Sequence, residues 1–351
     1  MSKFPTESIG KVERTRAEHV LNDAIVIDGL GGSLVDPTPL PVDGVPYSQY
    51  LLDSGWTALN VTLVSHPTYT PDLNQLLRAL YENVCWLREN ENKALLIRTA
   101  EDIHRAKSTG RLGLIFGLQS PSAIGSDRIL VTILHQLGVR IMQLTYMERN
   151  LLGDGCLEPY QQGLTHFGFQ VIREMNNVGI LVDLSHVGER TSLDAIEAST
   201  QPVVFSHSSV RHLCPNPRNL SDEQIRLVGT KGGVIGLVPY APFCQVKMGE
   251  RPDLNVYLDH VDYVVNLIGI DHAGIGTDMF DAKTPRMWQT WRLYPEVIGS
   301  YTFDTRRVLG FSKKQELINV VAGLLDRGYS DSDVQKILGG NFLRVFEQVW
   351  R

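Results

Sequence analysis

Two histidines, His186 and His207, each end a short apolar run: Ile180-Leu-Val-Asp-Leu-Ser-His186 and Pro202-Val-Val-Phe-Ser-His207. Two imidazoles on neighbouring supports can share one divalent cation, with Zn–N near 2.0–2.1 Å. A third run, Ala273-Gly-Ile-Gly-Thr-Asp278, ends in a carboxylate. Beside a metal-bound water such a group can take the water's proton and pass it to a leaving group. Arg218 lies in the proline-stiffened Cys214-Pro-Asn-Pro-Arg-Asn219, beyond His207. Its guanidinium can grip a substrate carboxylate through two parallel hydrogen bonds. Each residue also has a plainer reading. The histidines could satisfy backbone carbonyls at a rim, Asp278 could cap the next segment, and Arg218 could fix its own loop through a salt bridge.

The runs that carry these residues have the pattern of strands buried on both faces: four to six apolar, often β-branched residues bounded by turn residues. Eight such segments occur: Ala24–Asp28, Ala58–Val64, Leu112–Leu118, Val139–Thr145, Ile180–Ser185, Pro202–Ser206, Gly233–Val238 and Ala273–Asp278. Segments of helical periodicity separate most of them, among them Asp72–Asn90, Ala100–Ser108, Asp127–Leu137, Phe167–Val178, Arg190–Ala198, Ser221–Val228 and Leu254–Leu267. Eight strand–helix alternations predict a (β/α)8 TIM-type barrel with C-terminal helices, one domain over residues 1–351. A doubly wound open sheet is the alternative. It would want a Gly-rich fingerprint after the first strand, and Gly29-Leu-Gly-Gly32 lacks the third glycine at the right offset.

In a barrel, chemistry sits at the C-terminal ends of the strands. His186 and His207 fall on the fifth and sixth strands, which lie about 4.8 Å apart when paired, and Asp278 on the eighth closes the ring beside the first. Asp183, inside its strand, reads as a buried structural acid or as a partner that orients a histidine from behind. His66 and His212 have weaker claims. His19, His104, His135, His166, His260 and His272 fall on helices or their ends and carry no site signal.

Residues 31–57 and 280–312, rich in Tyr and Trp, read as long loops over the mouth whose aromatics either line a pocket or pack on the rim. The tail from Ser312 to Trp350 predicts two helices. The second, Ser332–Val349, opens on the capping box Ser332-Asp-Val-Gln335, and Gly339-Gly340 marks a place where it can break.

Composition narrows the function. The 351 residues are 43% hydrophobic and 21% charged, an ordinary globular balance. A net charge of −6 without a Lys/Arg run argues against a nucleic-acid partner. Cys85, Cys156, Cys214 and Cys244 form no CxxC pair and read as free thiols of a reducing compartment. The first residues, Met-Ser-Lys-Phe-Pro-Thr-Glu-Ser, lack the apolar core of a signal peptide, and no stretch of about 18 apolar residues occurs. The expectation is a cytoplasmic chain without a membrane segment.

These residues resemble the membrane or renal dipeptidases, peptidase family M19 of the amidohydrolase-like barrels. The matching stretches are Leu164-Thr-His-Phe-Gly168 with Glu174-Met-Asn, Gly179-Ile-Leu-Val-Asp-Leu-Ser-His-Val187, Phe205-Ser-His-Ser208, Asn216-Pro-Arg-Asn219, Gly274-Ile-Gly-Thr-Asp278 and Gly340-Asn-Phe-Leu-Arg-Val-Phe346. They are collinear over most of the chain. The resemblance implies a zinc-dependent hydrolase of dipeptides and a homodimer. By that resemblance His186 and His207 are ligands of one zinc, Arg218 holds the substrate carboxylate and Asp278 lies beside the reacting bond.

The chain departs from the family pattern at three places. The His-x-Asp pair that binds the other zinc is represented by Leu30 and Gly32. The bridging carboxylate is represented by Gln119, and a substrate-contacting histidine by Tyr146. A neutral amide bridges two dications poorly, so the expectation is at most one divalent metal, zinc, on His186, His207 and Gln119. The substrate is a small dipeptide-like or N-acyl amino acid-like molecule touching Arg218 and Tyr146. Two other readings stay open: a metal-free acid/base enzyme on the same barrel, and a catalytically silent relative that binds a ligand.

Overall fold

Nine parallel strands make one sheet in the computed structural model, which describes residues 11–34, 41–42, 44–64, 72–247, 249–279 and 294–350. They are β1 (Ile27–Gly32), β2 (Ala58–Thr62), β3 (Ala94–Leu96), β4 (Leu112–Leu118), β5 (Val139–Gln143), β6 (Leu181–Asp183), β7 (Val203–Ser208), β8 (Val234–Leu237) and β9 (Ala273–Ile275). Eight follow one another in the order β1-β2-β4-β5-β6-β7-β8-β9, and β3 pairs with the start of β4. At the seam between β9 and β1, the Asp278 N–H donates to the Leu30 carbonyl at 2.8 Å. Beside it the Thr277 N–H donates to Asp28 Oδ1 at 2.7 Å. The expected eight-stranded (β/α)8 barrel is therefore present, with β3 as an addition that the sequence pattern did not signal.

Strand residues two apart share a face, and this sets the layering of the barrel. Ile27, Ala58, Ile115, Ile141, Leu181, Val204 and Val234 join Phe342 and Phe346 of the helix Asn341–Val349 in one apolar cluster. That helix plugs the N-terminal end. Two residues further along the same strands stand Gly29, Asn60, Gly117, Gln143, Asp183, Ser206 and Gly236. Asn60 Nδ2 donates to the Gly29 carbonyl at 2.6 Å, and Gln143 Nε2 donates to the Gln119 and Thr145 carbonyls at 2.6 and 2.7 Å. The barrel thus passes from an apolar floor to a hydrogen-bonded polar layer just beneath its mouth.

The helices between strands fall close to their predicted spans. Asp72 caps Leu73–Glu89 through a capping box with Gln75, and Ser221 caps Asp222–Thr230 through one with Gln224. Near the C-terminus one expectation is corrected and another is met. The capping box there is Ser330 with Asp333, because the helix begins at Asp331. The segment does break at the glycine pair: Gly339 leaves the helical conformation, and a Cβ on it would collide with the Ile25 carbonyl and crowd the Ile27 N–H of β1.

Strand one also runs later than predicted, 27–32 rather than 24–28. The segment after it contains a short helix, Tyr47–Leu52, with Tyr47, Tyr50 and Trp56 buried against the core cluster. Trp288 and Trp291 lie outside the described residues. No helix among the described residues is long and apolar enough to cross a membrane. All four cysteines are free thiols.

Candidate active site

The two imidazoles meet. His186 Nε2 and His207 Nε2 are 2.9 Å apart, with ring centroids 4.9 Å apart and planes tilted by 58°. His207 is the fifth residue of β7, whereas His186 lies three residues past β6 and is carried inward by a left-handed backbone, φ 64°. Both side chains are buried, and the Tyr146 ring stacks on His186 at 4.1 Å. The Gln119 amide, just past β4, reaches His207 Nε2 at 3.5 Å, and its Oε1 is buried without a hydrogen-bond partner.

Behind His207 runs a relay that fixes its tautomer. Ser206 Oγ donates to Asp183 Oδ2 at 2.6 Å and stands 2.7 Å from His207 Nδ1. With the hydroxyl proton given to Asp183, Nδ1–H of His207 donates to Ser206 Oγ and Nε2 presents its lone pair to the mouth. Asp183 Oδ1 accepts from the Ser185 and Ser206 N–H groups at 3.0 and 2.9 Å. Burial pushes the Asp183 carboxyl above its ordinary range, and these same hydrogen bonds oppose that shift. Ser185 completes the support, its hydroxyl accepting from the His207 N–H at 3.0 Å. Asp183 thus fills the orienting role open to it. The serines were missed, although Ser precedes His at both positions.

Arg218 is placed by the backbone of His207, whose carbonyl accepts from its Nη2 at 3.0 Å. The guanidinium lies 5.3 Å from the Phe243 ring centroid and is 2% exposed. No carboxylate among the described residues lies within ion-pair distance, and its Nε is buried without a partner. Burial lowers its pKa, opposed by the electrostatic influence of Cys156, Tyr146, Asp278 and Asp183. Cys156 borders the same space, its N–H on the His186 carbonyl at 2.9 Å, and burial pushes its thiol up to about 11.

Asp278, 9% exposed, follows β9 in a second left-handed turn, φ 47°. Arg307 clamps that turn, donating from Nη1 to the Thr277 carbonyl at 3.2 Å and from Nη2 to the Asp278 carbonyl. Nothing in the sequence pattern pointed to Arg307, which lies in the irregular stretch before the C-terminal helices. Of the weaker candidates, His212 is exposed and stacks on Tyr263 at 5.3 Å, away from the pair. His66 lies outside the described residues.

The donor set bears on what could bind. Two imidazole Nε2 atoms 2.9 Å apart, with a buried amide oxygen lacking a partner beside them, are neutral donors of the type that one divalent ion would take. Among the described residues no trio of His, Cys, Asp and Glu is grouped to hold a metal, so Gln119 is the third donor at hand. A second ion has no such support at the tip of β1. Leu30 is apolar and buried, and a Cβ on Gly32 (φ 119°) would stand 2.7 Å from Tyr47 Oη and 3.0 Å from the Met279 carbonyl.

Comparison with known proteins agrees with this architecture. The family model described as membrane dipeptidase, peptidase family M19, matches residues 54–300 and 297–351. Dipeptidase tcpJ of Claviceps purpurea is 33% identical over 252 residues, 71% of this chain and 54% of that protein. Dipeptidase 3 of Rattus norvegicus is 28% identical over 268 residues, 72% of this chain and 48% of that protein. The chain thus spans about half the length of the curated relatives it matches. The crystal structure of an amidohydrolase from Pseudomonas aeruginosa superposes with a TM-score of 0.84 at 31% identity, covering 95% of this chain and 99% of that one.

Proposed function

Because the chain belongs to the membrane dipeptidase family, peptidase family M19, we propose that it hydrolyses an amide or related bond in a small carboxylate-bearing substrate held in the barrel mouth. One observation carries this reading: the buried Arg218 guanidinium has no carboxylate of the described residues within ion-pair distance, leaves its Nε without a hydrogen-bond partner and hangs from the carbonyl of His207. A buried charge calls for a partner. A substrate carboxylate placed on Arg218 is thereby held beside the imidazole pair. The relatives named as dipeptidases make a dipeptide or an N-acyl amino acid the first substrate class to try.

His186, His207 and Gln119 would hold one divalent ion, with zinc the family's metal, and the β1 tip argues against a second. Bound there, the ion supplies a lowered water pKa and a polarised carbonyl. The chain's own residues do the rest. Arg218 fixes the substrate carboxylate, and Tyr146 walls the site against the His186 ring. Asp278 accepts the proton of the attacking water and passes it to the leaving amine. The Asp183–Ser206 relay keeps His207 with its Nε2 lone pair inward.

Metal analysis of protein purified without chelator, with turnover measured on dipeptides and N-acyl amino acids, tests the proposal. The expected result is about one ion per chain, lost together with hydrolysis in His186→Ala. Metal-free protein inert toward every member of both classes would overturn it. The same 2.9 Å contact also suits an N–H···N hydrogen bond between the rings, which a metal-free acid/base enzyme would keep. Turnover that persists in chelator selects that second reading.

A further inference from the structure

Arg218 is not the only buried guanidinium at this mouth without a carboxylate of the described residues within ion-pair distance. Arg307 is 5% exposed, its Nε is buried without a partner, and no carboxylate among the described residues lies within ion-pair distance. Its bonds go to neutral carbonyls alone, those of Thr277 and Asp278. The two arginines flank one aromatic pair. Tyr240 and Phe243 have centroids 4.9 Å apart, with Arg218 Cζ 5.3 Å from the Phe243 centroid and Arg307 Cζ 5.2 Å from that of Tyr240. The segment bearing Arg307 is fixed along the extension of β8, where Ala241 N–H donates to the Arg306 carbonyl at 2.8 Å and Val308 N–H to the Pro239 carbonyl at 3.2 Å. Asp278 bears on both, its carbonyl accepting from Arg307 Nη2 and its charge opposing the lowering of the Arg218 pKa.

Other arginines of this chain show what a purely structural guanidinium looks like. Arg140, at the opposite end of the barrel, is as buried, but its Nε donates to the Arg98 carbonyl at 2.6 Å and its Nη1 to two further carbonyls. Arg344 also leaves Nε without a partner, yet it is only half-buried, so water can screen its charge. Arg307 has neither release. One substrate carboxylate on Arg218 would neutralise one of two buried cations and leave the other without a counter-charge.

We propose that the substrate is dianionic, with one carboxylate on Arg218 and a second on Arg307 across the Tyr240–Phe243 pair, which makes it an acidic dipeptide or an N-acylated acidic amino acid. The inference rests on the reading of Arg218 as the carboxylate clamp. Both carboxylates find charged donors already desolvated, and the aromatic pair separates the two cations while offering each a π face.

Calorimetric binding of N-acetyl-L-glutamate and N-acetyl-L-glutamine to the full chain reads this without any turnover. The glutamate derivative should bind about tenfold more tightly or better, the scale of one charge-assisted hydrogen-bonded contact. That ratio should fall to about one in Arg307→Gln and stay above one in Arg307→Lys, which keeps the charge if the neutral variant folds poorly. Equal affinity for the two ligands in the unaltered protein, binding of neither, or a ratio that survives Arg307→Gln overturns the inference. Selective binding without hydrolysis would overturn the hydrolase reading and leave this one standing. Hydrolysis of Gly-Glu and Gly-Gln with equal kcat/KM, alongside equal binding, would do the reverse.

Discussion

A left-handed backbone at a residue other than glycine is held against a cost of order 1–3 kcal/mol, and Asp278 and His186 both carry one at the rim of the barrel. At Asp278 the restraint is visible. The Asp278 N–H is fixed on the Leu30 carbonyl, Thr277 is fixed on Asp28, and Arg307 takes both carbonyls of the turn. Asparagine tolerates this conformation but cannot accept the proton. Asp278→Asn should therefore melt with the unaltered protein while kcat falls about 100-fold or more. Melting curves beside initial rates check this, and an unchanged kcat would remove Asp278 from proton transfer. At this scale the sequence revealed the residues that end apolar runs, His186, His207 and Asp278, because a polar side chain after a buried strand stands out. It hid Arg307, whose surroundings have no period, and the part of Ser206, which a single strand position cannot disclose.

Elements were legible where periodicity was strong and obscure where glycine replaced it. The strand β1 contains Gly29, Gly31 and Gly32, residues that depress strand propensity, and its predicted span stopped at Asp28. Gly29 answers to space: a Cβ on it, as on Gly236 of β8 or Gly276 just past β9, would collide with the Ser206 carbonyl oxygen, which sits one residue before His207. The strand β3 is three residues long between two helices, too short to show alternation. The helix Leu254–Ile268 was clear, but the role of its His260 was not. Its Nδ1 accepts from the Val210 N–H at 3.0 Å, its Nε2 is buried without a partner, and burial lowers its pKa to about 4. An unfolded histidine titrates near 6.5, so the unfolded chain takes up the proton first. The stability gained from neutral His260 is complete above about pH 6.5 and is lost as pH falls toward 4, about 3 kcal/mol in all. Denaturant unfolding of the unaltered protein and of His260→Asn, which retains an acceptor, should show this loss in the first and not in the second. Parallel pH profiles would refute it.

Across the whole molecule, the barrel seam is bridged by a contact between residues 286 positions apart. Lys314 Nζ donates to Asp28 Oδ2 at 2.9 Å and to Thr277 Oγ1 at 3.0 Å, with both charged side chains fully buried. Trp56 covers the ammonium at 5.5 Å, and its Nε1 donates to the Lys314 carbonyl at 3.4 Å. Asp28 Oδ1 and Oδ2 hold Thr277, so one carboxylate joins the first strand, the last strand and the C-terminal tail. Eight strand-like runs announced a barrel, but no local pattern announces which tail residue locks it, because the partner of Lys314 is set only when the ends meet. A buried ion pair is weak evidence for net stability, whereas leaving one charge alone is strongly unfavourable. Lys314→Met should accordingly lower unfolding free energy by about 3–5 kcal/mol. In Asp28→Asn/Lys314→Met the stranded charge is gone and an amide still accepts from the Thr277 N–H, so the double variant should be more stable than Lys314→Met alone. Denaturant unfolding of the two single variants and the double completes the cycle. If the double variant loses the full sum of the single losses, the pair is not coupled and barrel closure must rest on the backbone seam instead.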